Sequence, residues 1–193
     1  MRLDKIYTKI GDGGTTLLAN GEKTGKSAQR IEAYGAIDEL NSFVGLLVDE
    51  LSSHSNNDDI SHIIKSCILI QNELFDLGGE LATPAKALRL DLQKVVGPAE
   101  ISRLELEMDT WTSSLPPLKN FVLPGGCKAN SLAHVCRTVA RRAEREIVRL
   151  AAEDEIRKDC QIYVNRLSDW FFLASRSISK INGVPEELWK QKR

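Results

Sequence analysis

The sequence predicts an all-α protein, a five-helix up-and-down bundle that follows a Gly- and Thr-rich N-terminal loop. Apolar residues recur at three- and four-residue steps along five long segments, which places them on one face of each helix. Short links of turn residues separate these segments. No two segments alternate like paired strands, so the β content should be near zero. The length of 193 residues predicts a single domain with an N-terminal piece, the bundle and a C-terminal tail, at 1–26, 27–181 and 182–193.

The first two predicted helices have regular apolar spacing and recognisable start signals. The first runs from about Ser27, whose hydroxyl suits an N-cap, to about Ser53. The stretch "SNNDD" then interrupts the pattern. Asn57 or Asp58 can cap the second helix, whose apolar residues continue to Leu77.

Glycine and proline set the limits of the other three helices. The stretch "GGELATPAKALRL" is predicted to be a loop, and Pro98 suits the first turn of a third helix at about 99–113. "FVLPGG" then makes a tight connection to a fourth helix at about 128–152. "AEDEI" separates this from a fifth helix at about 157–181, which "NGVP" ends.

The charge balance excludes recruitment of nucleic acid or an anionic membrane by the field of the whole molecule. The net charge is −1 and the pI is about 6.3, so any anion binding must come from local clusters. The N-terminus lacks the apolar core of a signal peptide, and no apolar run approaches the roughly 18 residues of a spanning helix. The four cysteines stand singly and are expected to be reduced core residues. These features predict a cytoplasmic protein.

The stretch "TKIGDGGTT", from Thr8 to Thr16, has the composition of an anion-binding loop. Its glycines can take positive φ and leave backbone N–H groups open, and Lys9 adds a cation. It fails as a dinucleotide fingerprint because no βαβ unit surrounds it. A plain polar hairpin tip has the same composition, so spacing alone leaves both interpretations open.

The next stretch, "NGEKTGKS", comes within one residue of a Walker A phosphate loop. Asn20 stands where that motif needs glycine, and no buried strand precedes it. We therefore predict a turn-rich link into the first helix rather than a phosphate loop of this type.

An arginine row marks the fourth helix, on the side opposite its apolar stripe. It consists of residues at four-residue steps, Arg137, Arg141, Arg145 and Arg149, with Arg142 beside them. Like charges at this spacing repel, so the row needs anions, and Glu144 and Glu146 supply only part of them. A solvated or salt-bridged face, a phosphate-binding surface and an RNA-binding surface all remain open, although the aromatic residues that stack bases are missing.

Two other helices carry polar residues within an apolar pattern. Asn165 and Asp169 in "YVNRLSDWFF" share one face of the fifth helix, which is typical of a buried inter-helix hydrogen bond or a ligand contact. Asp38, Glu39 and Asn41 in "AYGAIDELNS" suit the solvated side of the first helix. The three histidines form neither a triad nor a zinc pattern: His54, His62 and His134. No serine or cysteine nucleophile motif is present.

Six motifs, taken in order, resemble one family. They are "YTKIGDGGTT", "RIEAYGAIDELNS", "QNELFDLGGELATP", "FVLPGG", "RTVARRAERE" and "YVNRLSDWFF", and they span the chain from Ile6 to about Ser175. Together they are similar to the ATP:cob(I)alamin adenosyltransferases of the propanediol-utilisation (PduO) type. The resemblance implies a five-helix bundle that forms a homotrimer with active sites between subunits. It also implies transfer of the 5′-deoxyadenosyl group of ATP, with Mg²⁺, to the cobalt of cob(I)alamin, which releases triphosphate and forms adenosylcobalamin.

The resemblance also assigns roles to individual residues. The implied ATP-binding residues are Thr8, Lys9, Ile10, Gly11, Thr16, Lys26, Arg141, Arg142, Glu144, Arg145 and Asn165. Asp38 and Arg137 resemble an ion pair across the subunit interface beside the corrin, and Phe121 resembles the aromatic that covers the lower face of cobalamin. These three residues and Arg141 would be the catalytic set. For magnesium the resemblance implies binding through the ATP phosphates and identifies no particular protein ligand.

The departures from the family pattern are few. Gly13 stands where many relatives carry a charged side chain, and Cys127 stands where a smaller polar residue is frequent. The implied partners are a cobalamin reductase and an adenosylcobalamin-dependent enzyme, with neither nucleic acid nor a membrane. Two alternatives are a non-catalytic carrier bundle that binds cobalamin and ATP, and an RNA-binding bundle that uses the arginine helix.

Overall fold

The computed structural model describes residues 7, 9, 11–53 and 57–191. Within those residues a small sheet precedes five helices, with a single 3-10 turn at Ala85–Ala87. The elements are β1 (Thr15–Leu17), β2 (Lys23–Gly25), α1 (Gln29–Ser52), α2 (Asp58–Leu81), α3 (Pro98–Ser114), α4 (Lys128–Glu153) and α5 (Lys158–Ile181). The predicted all-α bundle is confirmed. None of the described helices is long and apolar enough to cross a membrane.

The spatial order of the helices differs from their order in the chain. Neighbours in space follow the order α2, α1, α4, α5, α3, and α2 also touches α5. Short links join α1 to α2 and α4 to α5, as an up-and-down bundle requires. The connections 82–97 and 115–127 instead cross the bundle, so the prediction that all links are short was wrong at these two places.

The core is centred on α5, which packs against α4, α3 and α2. Its largest fully buried side chains are Tyr163, Trp170 and Phe171. Burying a large apolar side chain contributes about 1.5–3 kcal/mol, so these aromatics supply much of the force that holds the other helices around α5. Cys67, Cys136 and Cys160 lie in the same core and Cys127 is half-buried, which confirms their predicted packing role.

The observed helix ends match the predicted capping residues for α2 and α3 but not for α1. The Asn57 side chain caps α2 by accepting from the N–H groups of Asp59 and Ile60, as predicted. Pro98 occupies the first turn of α3, also as predicted. The predicted cap at Ser27 was wrong, because Ala28 precedes α1 and makes no side-chain cap bond.

The stretch "GGEL" is helical rather than part of a loop. Gly78 and Gly79 continue α2, which ends only at Leu81. Each glycine costs about 1 kcal/mol in a helix, but Leu77 and Leu81 are fully buried in the core. Tertiary burial therefore outweighs the local preference against helix.

The "NGEKTGKS" stretch is not only a link. Its residues 23–25 form β2, which pairs antiparallel with β1 in the register Thr15↔Gly25, Thr16↔Thr24 and Leu17↔Lys23. The backbone N–H of Ala19 donates to the carbonyl of Ala82 at 3.1 Å, which fixes the hairpin tip against the end of α2. The β content is therefore small, as expected, but it is not zero.

Candidate functional site

The N-terminal hairpin brings the glycine loop and Lys26 together. A Cβ atom on Gly11 would lie 3.1 Å from Lys26 Nζ, so the lysine side chain lies across the backbone of this glycine. The Lys26 N–H also donates to the carbonyl of Gly14 at 2.9 Å. Lys9, with a left-handed φ of 62°, accepts from the N–H of Asp12. The predicted site residues Lys9, Gly11 and Lys26 therefore share one loop.

Two other predicted nucleotide-loop residues, Thr8 and Ile10, lie outside the described residues. Thr16 lies within β1 and is half-buried.

Gln29 fixes the base of the hairpin against α4. Its amide donates to the backbone carbonyl of Glu146 at 3.1 Å and to the Glu146 carboxylate at 2.9 Å. Lys26 precedes Gln29 by three residues, and Arg145 directly precedes Glu146 in the chain. This contact joins the base of the hairpin to the part of α4 that carries the later arginines of the row.

Only part of the arginine row has a carboxylate partner. Arg142 forms an ion pair with Glu39 of α1, and Arg149 pairs with Glu146. Arg145 donates only to the backbone carbonyl of Arg141, at 3.0 Å. Among residues 9, 11–53 and 57–191, neither Arg141 nor Arg145 forms a salt bridge, and the same holds for Lys9 and Lys26. The described residues therefore leave two pairs of cations without a carboxylate, one in the hairpin and one on α4, which together we call the open cation cluster: Lys9, Lys26, Arg141 and Arg145.

Asn165 lies on the surface rather than in the buried contact that one sequence interpretation favoured. Its side-chain amide donates to Glu144 of α4 at 2.9 Å, so the bond joins two helices but remains exposed. Asp169 is also exposed and lies 3.7 Å from Arg166. The Asn165–Glu144 bond places two of the predicted nucleotide contacts side by side across α4 and α5.

Asp38 and Arg137 do not pair within the described chain. Asp38 is exposed on α1, and its backbone carbonyl accepts from the Ser42 hydroxyl. Its carboxylate has no hydrogen bond or salt bridge among the described residues. Arg137 donates from Nε to Nδ1 of His134 at 3.3 Å. Burial, followed by the neighbouring Arg141 charge, lowers the pKa of Arg137. The ion pair was predicted between subunits, and that prediction stays open.

His134 contacts the predicted site residue Arg137, although the sequence assigned it no role. It is only 4% exposed, its Nε2 lies 3.2 Å from Ser175 Oγ, and its ring packs edge-on against Phe172. Burial lowers the pKa of His134 to about 4, with a smaller contribution from the Arg137 charge. A lone histidine, without the spacing of a metal site or a catalytic triad, gives no indication in the sequence that it will contact Arg137 and Ser175.

Phe121 is an exposed aromatic held in place by the C-terminal segment. Its side chain is 77% exposed, although its backbone carbonyl accepts from the Trp189 N–H at 2.8 Å. Val122 and Leu188 form an antiparallel bridge, and the rings of Phe121 and Trp189 meet edge-on at 6.3 Å. A Cβ on Gly126 would come within 2.7 Å of Val184, so the "LPGG" turn needs glycine there to pass this segment. The predicted tail therefore supports the loop that presents Phe121.

The family model for cobalamin adenosyltransferases matches residues 6–178. The chain belongs to this family. It is 45% identical over 182 residues to the corrinoid adenosyltransferase of Bacillus subtilis, covering 93% of this chain and 89% of that protein. It is 39% identical over 193 residues to the cobalamin adenosyltransferase of Cupriavidus metallidurans, covering 100% and 97%.

Solved structures of cobalamin adenosyltransferases share the fold. A variant of the PduO-type ATP:corrinoid adenosyltransferase from Lactobacillus reuteri, complexed with cobalamin and ATP, superposes with a TM-score of 0.88 at 38% identity, over 97% of this chain and 100% of that one. A second variant of that enzyme, complexed with ATP, gives a TM-score of 0.87 at 39% identity, over 96% and 100%. The sequence resemblance to this family is confirmed.

Proposed function

We propose that this chain is a corrinoid adenosyltransferase that moves the 5′-deoxyadenosyl group of ATP to the cobalt of cob(I)alamin. The observation that carries the proposal is the open cation cluster, because cations of the hairpin and of α4 that have no carboxylate partner among the described residues suit a triphosphate. Family membership, the names of the relatives and the ATP and cobalamin held by a structural neighbour support it.

The proposed reaction is a displacement at the 5′ carbon of ATP. The electron pair of the cob(I)alamin cobalt forms the Co–C bond, the C5′–O bond breaks, and its electrons leave with triphosphate. The nucleophile is supplied by the corrinoid substrate, so the protein needs no serine or cysteine nucleophile. Three of the four cysteines are buried in the core, which fits a reaction that needs no cysteine nucleophile.

The protein's first task is to hold the two substrates in line and to stabilise the leaving group. Positioning of this kind can contribute about 7–11 kcal/mol to lowering the barrier. Lys9, Lys26, Arg141 and Arg145 would neutralise the developing charge on triphosphate, and Gly11 would let its backbone approach the phosphates. Thr8, Ile10, Thr16, Arg142, Glu144 and Asn165 complete the proposed ATP site.

Magnesium would enter with ATP. Among the described residues no group of three or more His, Cys, Asp or Glu side chains could hold a metal ion, so the phosphate oxygens are the fitting ligands. The ion would supply further neutralisation of the triphosphate. The protein's own contribution remains the open cation cluster.

The proposed corrin side of the site uses Phe121, Asp38 and Arg137. Phe121 is exposed and backed by Trp189, as a cover for one face of a large planar ligand would be. Displacing the lower axial ligand with this ring would favour the electron-rich cobalt. Asp38 and Arg137 have no oppositely charged partner in the described chain, which suits a pair between subunits of a homotrimer.

The wider setting is also a proposal. A cytoplasmic homotrimer would receive reduced corrinoid from a cobalamin reductase and pass adenosylcobalamin to a dependent enzyme. A non-catalytic carrier would keep the same pocket without turnover. An RNA-binding bundle is disfavoured by the net charge of −1.

One assay tests the proposed function. The protein is mixed with magnesium-ATP and chemically reduced cobalamin, and the corrin absorption spectrum is followed while triphosphate is quantified. Adenosylcobalamin and triphosphate in equal amounts are expected. Binding of both substrates without product would support the carrier and overturn the proposed activity.

A further inference from the structure

A buried polar chain joins α4 to α5 directly beneath Arg137. Arg137 Nε donates to His134 Nδ1 at 3.3 Å, and His134 Nε2 lies 3.2 Å from Ser175 Oγ. The Ser175 hydroxyl in turn donates to the carbonyl of Phe172 at 2.7 Å. None of the sequence motifs assigned a role to His134 or Ser175.

The donor and acceptor of each hydrogen bond between Arg137, His134 and Ser175 follow from their chemistry. A guanidinium can only donate, so Nδ1 of His134 must carry a lone pair. A neutral imidazole then has its one proton on Nε2, where it donates to Ser175 Oγ. The serine can accept this bond because its own proton goes to Phe172. Each donor in this series of hydrogen bonds meets an acceptor only when His134 is neutral.

We propose that His134 is a positioning residue that holds the Arg137 guanidinium through Nδ1 and so aims it at the corrin side of the active site. This inference rests on the proposed function, because it concerns the orientation of Arg137 in that reaction. His134 acts through Arg137 and touches neither substrate.

Hydrogen bonds of Asn130 connect this polar series to the loop that presents Phe121. The Asn130 amide donates to the Ser175 carbonyl at 2.9 Å and to Ser179 Oγ at 2.8 Å, while its oxygen accepts from the Gly125 N–H at 3.1 Å. Gly125 belongs to the "LPGG" turn that follows Phe121. The α5 turn that orients the imidazole therefore also fixes the aromatic cover, so both corrin-facing groups share one support.

The charges around the imidazole favour its neutral form. Arg137 lies at Nδ1, and Glu186 acts from the C-terminal segment in the opposite sense. Glu186 is itself engaged by the buried Arg176 of α5, with Nε to Oε1 at 2.7 Å, so its charge is already compensated. Burial dominates, and the pKa of His134 falls to about 4.

Two isosteric substitutions separate the two ends of the imidazole. In His134→Asn the side-chain oxygen can take the position of Nδ1 and accept from Arg137. In His134→Gln the polar group reaches the position of Nε2, near Ser175, and leaves Arg137 without its acceptor. We expect kcat/KM for cobalamin to stay within about threefold of wild type in His134→Asn and to fall about tenfold or more in His134→Gln, the scale of a hydrogen bond to a charged group. KM for ATP should change in neither.

A matched pair of serine variants tests the support from α5. Ser175→Ala removes the acceptor of the Nε2 proton. Ser177→Ala removes a buried hydroxyl of the same helix that has no hydrogen-bond partner among the described residues. We expect a loss of several-fold for Ser175→Ala, specific to cobalamin, and none for Ser177→Ala. If a His134 variant fails to fold, the two serine variants still test the proposal.

A double-mutant cycle decides whether His134 acts through Arg137. In an Arg137→Ala background, His134→Gln should cost nothing further, since the group it positions is absent. An additive loss would overturn the inference, as would equal activities of the Asn and Gln variants in an active enzyme. Absence of turnover in the wild type would instead count against the proposed function.

Discussion

Two arginine-rich regions of this protein differ in whether the chain supplies their counter-ions. On the side formed by α2, α3 and α5, Arg103 lies between Glu73 and Glu107, at 2.7 Å from each carboxylate. Glu73 also accepts from the Tyr163 hydroxyl at 2.6 Å. Arg157 is similarly enclosed by Glu80 and by Asp159. We call this region the closed network.

The open cation cluster on α4 and the hairpin has the same residue types without the carboxylates. Arg142 and Arg149 of the same helix do have acidic partners, so the lack at Arg141 and Arg145 is local. Cations that repel one another destabilise a fold unless an anion joins them. The comparison indicates that arginine content alone is a poor marker of an anion site, and that arginines without an internal counter-ion are the better candidates.

The largest effect is expected from breaking the closed network. Arg103→Met keeps an apolar stem but leaves the buried Glu73 carboxylate without its cation, and burial already raises the pKa of that carboxyl. The free energy of unfolding should fall by about 3–5 kcal/mol, as for one partner removed from a buried ion pair. Urea denaturation measures the loss, and kcat of the folded fraction should be unchanged.

A double variant is the control for that prediction. Glu73→Gln combined with Arg103→Met removes one of the two carboxylate charges left unpaired, the other being Glu107, and keeps an acceptor for Tyr163. It should therefore recover part of the lost stability. A destabilisation below about 1 kcal/mol for Arg103→Met would show that the network is a surface feature.

The next effect is expected in the open cation cluster, on turnover rather than on stability. Arg141→Ala should lower kcat about 10²–10³-fold, the range for removing one group that stabilises transition-state charge. The free energy of unfolding should not fall, because Arg141 is exposed and forms no ion pair within the described chain. Steady-state kinetics and thermal unfolding check both parts.

Arg149→Ala is the matched control for Arg141→Ala. It lies two turns further along the same helix and already pairs with Glu146. Its turnover should match the wild type. Equal losses in the two variants would mean that the general charge of α4 matters and that the distinction between paired and unpaired arginines does not.

The sequence was sufficient for the helices but not for their arrangement. Apolar spacing located all five helices, since it reports directly which face is buried. It missed the continuation of α2 through Gly78 and Gly79, because the burial of Leu81 depends on helices distant in the chain. The spatial order α2, α1, α4, α5, α3 has no signature in spacing at all.

The candidate site could be predicted where residue type carries the chemistry. The glycines and the arginine row are recognisable from composition and order, whereas Lys26 was assigned to ATP only through the family resemblance. Which arginines stay unpaired could not be predicted, since Glu39 reaches Arg142 from another helix. His134 and Trp189 were missed because each acts through one long-range contact, with Ser175 and Phe121 respectively.

His134 is buried, like the closed network, and also contacts Arg137 of the candidate site. Its lowered pKa predicts that the stability of the protein depends on pH. Its folded pKa of about 4 lies below its unfolded value of about 6.5. Between these values the unfolded chain binds a proton that the folded chain does not, so stability falls as pH decreases through this window. The loss attributable to His134 should approach about 3 kcal/mol at pH 4.

The comparison with His134→Asn isolates that contribution. Carboxylates titrate in both proteins, so only the difference between their stability curves reports the imidazole. Wild type should lose stability more steeply than the variant from pH 6.5 to pH 4, measured by urea denaturation at each pH. Parallel curves would show that the pKa of His134 is the same in the folded and unfolded protein, which would contradict this prediction.

The smallest expected effect concerns the aromatic pair of Phe121 and Trp189. Trp189→Ala removes the ring that meets Phe121 edge-on but keeps the backbone bond from residue 189 to the Phe121 carbonyl. An aromatic pair contributes about 0.5–1.5 kcal/mol, so KM for cobalamin should rise by about threefold to tenfold with KM for ATP unchanged. Trp189→Phe keeps an aromatic ring and should behave like the wild type. If Trp189→Ala also matched the wild type, Phe121 would hold its position through the backbone bridge alone, and the C-terminal segment would act as a strand rather than as part of the cover.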